Sequence, residues 1–143
     1  MRLTIRTNLA MRTLMYCAAN PDQIVQKRDV AAACGASENH LAQVIHLLAR
    51  NGFLTTLRGR SGGLRLARAP QDITVGQVFR LFESVLPFTD CAEASSTCPL
   101  AAACRLKCVL AEAVEGFYAR LDQSCLSDLV NDNAALHRLL SAA

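Results

Sequence analysis

No stretch of this 143-residue chain approaches the ~20 consecutive apolar residues that a membrane span requires. The first residues carry Arg2 and Arg6 but no signal-type apolar core or cleavage site. A cytoplasmic location is therefore expected. No Cys-x-x-Cys pair occurs among the seven cysteines, which sets aside a zinc ribbon and a thioredoxin-type redox pair. There are three histidines, at 40, 46 and 137, and no nucleophile–base–orienter arrangement can be placed, so enzyme function is not expected. Internal repeats and low-complexity tracts are absent. With 52% hydrophobic and 19% charged residues, global disorder is excluded as well.

What is present is unevenly distributed. Residues 1–70 hold ten Lys/Arg against three acids, a balance of +7, whereas residues 71–143 hold five against nine, a balance of −4. A basic half beside an acidic one suggests an anionic partner for the first. Residues 5–19 carry the broad apolar face of a helix, and Asn20-Pro21-Asp22 stops it. Two further helical patterns follow within 24–50, separated by Gly35-Ala36, with Ser37 as N-cap of the second. Leu41, Val44, Ile45 and Leu48 form its buried stripe, leaving Asn39, His40, Gln43 and His46 to address base edges or phosphates. Phe53–Leu57 and Leu64–Arg68 read as strands joined by the turn Arg58-Gly59-Arg60-Ser61-Gly62-Gly63. Helix-turn-helix followed by such a hairpin is a winged helix, whose tip can put Arg58 or Arg60 into a minor groove while glycine amides meet phosphate. Ser37, Asn39, His40, Gln43, Arg58, Arg60, Ser61 and Gly62 are the candidate DNA contacts.

Ala69-Pro70-Gln71-Asp72 is the expected boundary between a DNA-binding domain, 1–70, and a second unit, 71–143. There Thr74 caps a helix that Pro87 ends, with Glu83 on its solvated side. From about Arg105 to Leu121 a long helix presents Leu106, Val109, Leu110, Ala113, Val114, Phe117 and Leu121. That face is too wide for one winged domain to cover, and a homodimer is expected. The fold class is thus mainly α with a small β-hairpin: a winged helix-turn-helix domain plus a long C-terminal dimerisation helix.

Four cysteines, 91, 98, 104 and 108, cluster between the helix that Pro87 ends and the first turn of the long helix. In a reducing compartment a disulfide framework is not expected, and wide spacing in a loop suits a bulky cluster whose irons are reached by separate thiolates. Cys104 and Cys108 share a face if the helix begins early. Cys17, Cys34 and Cys125 fall at apolar positions and read as packing.

The chain resembles the winged-helix iron–sulfur repressors of the NsrR and IscR family over essentially its full length. The matching marks are the opening Met-Arg-Leu-Thr, Asn39-His40, Arg58 through Leu66, the three-cysteine loop running into Ala103-Cys104-Arg105-Leu106-Lys107, and Leu126-Ser127-Asp128-Leu129-Val130. It looks closer to the nitric-oxide-sensing branch, because Lys107 stands where the other branch has a histidine ligand. The resemblance implies a DNA-binding repressor of a palindromic operator, with Cys91, Cys98 and Cys104 holding a 4Fe–4S cluster, 2Fe–2S being the alternative. It also implies a fourth ligand, in the family an aspartate from the partner subunit. Asn8 occupies that position here. Asn8, Cys108, a solvent species and a small thiol are the candidates. Iron- or redox-responsive regulation by the same family, a metal-free thiol-based sensor, and a constitutive winged-helix protein are the alternatives to a nitric oxide signal.

Overall fold

The computed structural model describes residues 3–59, 62–83 and 97–141. Arg60, Ser61 and Cys91, together with the expected helix stop at Pro87, lie outside them. Helix α1 runs Ile5–Ala19; Thr4 caps it by accepting the Thr7 amide, at 3.2 Å. Helix α2, Lys27–Cys34, ends at Gly35 in the left-handed conformation, φ +61°, where a side chain would be strained. Ser37 then caps α3, Glu38–Arg50, its hydroxyl accepting from the His40 amide. Lys27 and Glu38 join α2 to α3 across 3.0 Å. The predicted stripe is the buried one: Leu41, Val44, Ile45 and Leu48.

Gly52, with φ +73°, turns the chain into strand β1, Leu54–Leu57, which pairs antiparallel with β2, Gly63–Leu66. Both strands are slightly shorter than the sequence pattern suggested. Each end of the expected hairpin is used otherwise. Arg68 lays its guanidinium over the Phe53 ring at 4.4 Å and donates to the Gly52 carbonyl. At the other end, Val25 makes an isolated antiparallel bridge, exchanging amide–carbonyl bonds of 2.9 and 2.8 Å with Leu64. That close pairing is why residue 63 is glycine. A Cβ there would sit 2.5 Å from the Val25 carbonyl oxygen.

A 3₁₀ turn, Pro70–Asp72, leads to helix α4, Val75–Glu83. Thr74 caps it reciprocally with Gln77, each backbone amide donating to the other's side chain. Helix α5, Arg105–Asp122, is 18 residues long, about 27 Å at the α-helical rise. Short helices α6, Leu126–Val130, and α7, Ala134–Leu140, close the chain. The core is continuous across residue 70: Leu9, Leu14, Leu41 and Leu48 share one cluster with Ile73, Val78, Leu126 and Leu140. α1 is its centre, packed on α3, α4, α6 and α7.

Two expectations are corrected. Glu83 is not simply solvated. Its carboxylate accepts from the Thr4 amide at 2.8 Å, from the Thr4 hydroxyl at 3.0 Å, and closely from the Thr7 hydroxyl. Cys125 does more than fill space, because it caps α6 and its thiol lies 3.0 Å from the Asp128 carboxylate.

Candidate nucleic-acid interface and cysteine loop

Asn39, His40, Gln43 and His46 are all exposed along α3, opposite the stripe that α1 and the hairpin cover. Residues 39, 43 and 46 fall four and three apart, hence on one helix face. The Ser37 hydroxyl is engaged as the cap, which sets where α3 begins and so how its first turn is presented. Gln43 is not alone: its Oε1 accepts from Arg6 Nη2 at 3.1 Å. Arg6 was counted in the basic balance but not singled out. The pair is separated by 37 residues, and nothing local signals it.

In the wing, Arg58 is exposed at the end of β1. Gly59 takes φ +102°, and a Cβ at Gly62 would strike the backbone of Leu57, Arg58 and Gly59. Gly62 is therefore packed closely against residues 57–59, and Gln26 donates to its carbonyl at 2.5 Å. Arg65 points outward between the inward Leu64 and the half-buried Leu66. The polar face of α3 and Arg58 are thus both exposed on the first seventy residues.

The cysteines divide into two sets. Cys17 is 2% exposed, and burial, with Cys34 nearby, pushes its thiol up to about 12. Cys34 is also buried and raised by desolvation. Both belong to packing, as their apolar positions indicated. Cys98 and Cys104 are half-buried and lie outside the core, while Cys108 is exposed on the first turn of α5. Between Cys98 and Cys104 the chain makes tight turns, with Ala101 donating to the Cys98 carbonyl and Ala103 to that of Leu100. Cys104 is the N-cap residue of α5, yet its thiol makes no capping bond. It stands at the positive end of a long helix dipole, where a negatively charged ligand sphere is favoured. Soft thiolate donors placed this way fit an iron–sulfur cluster. Among the described residues no three His, Cys, Asp or Glu side chains converge as a metal-ion site.

Asn8 is exposed on α1 and lines a groove of about 380 Å³ with Arg12, Cys34, Ser37 and His40. Arg12 Nη1 donates to the Cys34 carbonyl at 3.1 Å and forms part of the groove wall. None of Cys98, Cys104 and Cys108 lines that groove. Asn8 therefore sits beside the start of α3.

This division has a direct chemical consequence. A thiol alkylating reagent at about pH 7.5 reacts with thiolate, and a thiol near 12 is ionised in roughly one molecule in ten thousand or fewer. Native, metal-free protein is expected to be labelled at Cys108 and to keep Cys17 unmodified until it is unfolded. Peptide mapping that finds Cys17 labelled as fast as Cys108 would contradict the packing described above.

A family model described as Rrf2, an iron-dependent transcriptional regulator, matches residues 3–132. The HTH-type transcriptional regulator NsrR of Geobacillus kaustophilus (strain HTA426) is 39% identical over 142 residues, covering 98% of this chain and 97% of its own. Among solved structures, IscR of T. potens matches with a TM-score of 0.73 at 26% identity, over 94% of this chain and 90% of its own. CymR, the global cysteine regulator of B. subtilis, shares the fold, with a TM-score of 0.67 at 23% identity over 91% of this chain and 96% of its own.

Proposed function

Because the chain belongs to the Rrf2 family of transcriptional regulators, we propose that it is a dimeric repressor whose operator binding is controlled by an iron–sulfur cluster on Cys91, Cys98 and Cys104, with nitric oxide as the signal. The observation that carries this reading is the placement of the outer cysteines. Cys98 and Cys104 stand outside the core at the head of α5, between the unit that bears α3 and the helix that bears an uncovered apolar stripe. A cluster held there would supply iron that nitric oxide attacks, 4Fe–4S being the preferred type and 2Fe–2S the alternative.

The chain's own residues do the rest. Residues 1–70 act as the reader: the exposed α3 residues Asn39, His40 and Gln43 enter the major groove, Ser37 at the start of α3 meets backbone, and Arg58, Arg60, Ser61 and Gly62 meet backbone and minor groove. Residues 71–143 act as sensor and dimer arm. Leu106, Val109 and Ala113 are exposed on the outer side of α5, while Phe117 packs against Phe79 of α4, with ring centroids 6.2 Å apart. A second copy covers the outer stripe, which sets the spacing of two α3 helices on successive major grooves. Thiolates at 91, 98 and 104 hold the loop between α4 and α5 in one arrangement; releasing them frees the loop, and the spacing is lost. Asn8 of the partner subunit, at the position of the family's aspartate, Cys108, solvent and a small thiol are the candidates for the fourth ligand.

Anaerobically purified protein is expected to show cluster absorbance in the visible range, to lose it on stoichiometric nitric oxide, and to lose operator affinity in step. Operator binding unchanged after that treatment would end the nitric oxide reading. Colourless, iron-free protein whose binding responds to thiol oxidation would favour the metal-free sensor that exposed Cys108 permits.

A further inference from the structure

The last residue of α4 stands eight positions before Cys91, and it grips the first turn of α1. One oxygen of Glu83 collects three donors, the Thr4 amide, the Thr4 hydroxyl and the fully buried Thr7 hydroxyl. Burial alone would raise this carboxyl, but the bonds from Thr7 and Thr4 together hold it below its ordinary value. Thr4 is also the N-cap of α1, so a single carboxylate secures both the cap residue and the residue it caps.

That turn is a junction. Arg6, within it, reaches Gln43 on α3; Asn8 follows Thr7 and lines the groove beside Ser37 and His40; Arg12, one turn on, holds the end of α2. On its other side α4 is tied to α5. Arg80 donates to Asp122 at 2.6 Å, pairs with Glu115 at 3.7 Å, and lies 4.7 Å over the Tyr118 ring. Gly76 permits the approach, because a Cβ there would strike the Asp122 carboxylate.

We infer that Glu83 is a positioning residue that clasps the start of α1 to the foot of the cysteine loop and so transmits the state of that loop to α3 and Asn8. The clasp is a feature of the fold; its role in regulation rests on the function proposed above. Glu83 is not one of the candidate DNA contacts or cluster ligands, so a structural spectator at this position would leave DNA discrimination alone.

The test uses the full-length protein with Glu83→Ala and, as the shape-conserving variant, Glu83→Gln. Amide hydrogen exchange at Thr4, Thr7 and Asn8 is expected to rise about tenfold or more in Glu83→Ala, the scale of a lost charge-assisted hydrogen bond, and less in Glu83→Gln. Iron and sulfide content stay at the wild-type level. The ratio of operator affinities with and without cluster shrinks toward one in Glu83→Ala and recovers partly in Glu83→Gln. Unchanged exchange at all three amides overturns the clasp, whatever the DNA result. Raised exchange with an undiminished affinity ratio overturns the transmission. A wild-type protein whose operator affinity ignores cluster loss overturns the functional reading and the transmission together, while the exchange measurement still decides the clasp.

Discussion

A chain carrying Leu106→Glu together with Val109→Glu is expected to sediment as a monomer at micromolar concentration and to bind its operator roughly 100-fold or more weakly. The expectation follows from where α5 is covered and where it is not. Leu110, Val114, Phe117 and Leu121 are half-buried, whereas Leu106 and Val109 remain 61% and 59% exposed. Burying a Leu or Val fully is worth about 1.5–3 kcal/mol. In a two-fold interface each side chain is buried twice, and about three-fifths of each remains to be covered, so two positions contribute on the order of 4–7 kcal/mol before the cost of association. Glutamates would place four carboxylates in the same dry seam, reversing the sign of that contribution. Operator affinity falls because the second half-site is no longer held at high effective concentration, an effect of 10²–10⁴-fold where geometry allows both to engage. The fold itself should survive, because neither side chain belongs to the core. Circular dichroism and thermal unfolding near wild type, with a monomer by sedimentation, are the expected pattern. A double variant that stays dimeric would show that α5 pairs through another surface.

The contrast between α3 and α4 shows what the sequence discloses and what it hides. Helix α3 was legible because each of its signals is local: Gly35 for the left-handed turn, Ser37 for the cap, and a 3.6-residue stripe that the core then buried. The same holds for the hairpin and for Cys17 and Cys34. The Glu83 clasp was not legible, because helical periodicity assigns a lone carboxylate to the solvated side. Its partners are a cap residue and a hydroxyl 79 and 76 positions away. Arg6 with Gln43 and Val25 with Leu64 are hidden for the same reason; a single long-range pair leaves no period. Helix α5 was read as one wide apolar face, and only the position of α4 divides it into a covered and an uncovered stripe. Asn8 was legible only as a departure from the family's aspartate. Its place beside the start of α3 comes from the packing of α1 across the helix pair.

Cys98→Ser is expected to abolish visible absorbance and to leave operator binding insensitive to nitric oxide, whereas Cys108→Ser leaves both intact. The two residues are ten positions apart and both lie outside the core, so loss of stability does not separate them. Chemistry does. A serine hydroxyl is a hard, neutral donor and does not replace a thiolate on iron. Cys98 precedes the tight turns that lead to Cys104 at the head of α5, and three loop thiolates define the proposed site. Cys108 projects from the first turn of the helix, one turn beyond Cys104. Iron content per subunit, the visible spectrum and an operator titration with and without nitric oxide check both variants. The informative failure is Cys108→Ser losing the cluster while Asn8→Ala keeps it. That result would move the fourth ligand into the same chain, and the site would no longer join one subunit's sensor to its partner's reader. Asn8→Ala losing the cluster while Cys108→Ser retains it would support that junction, because Asn8 borders the start of α3.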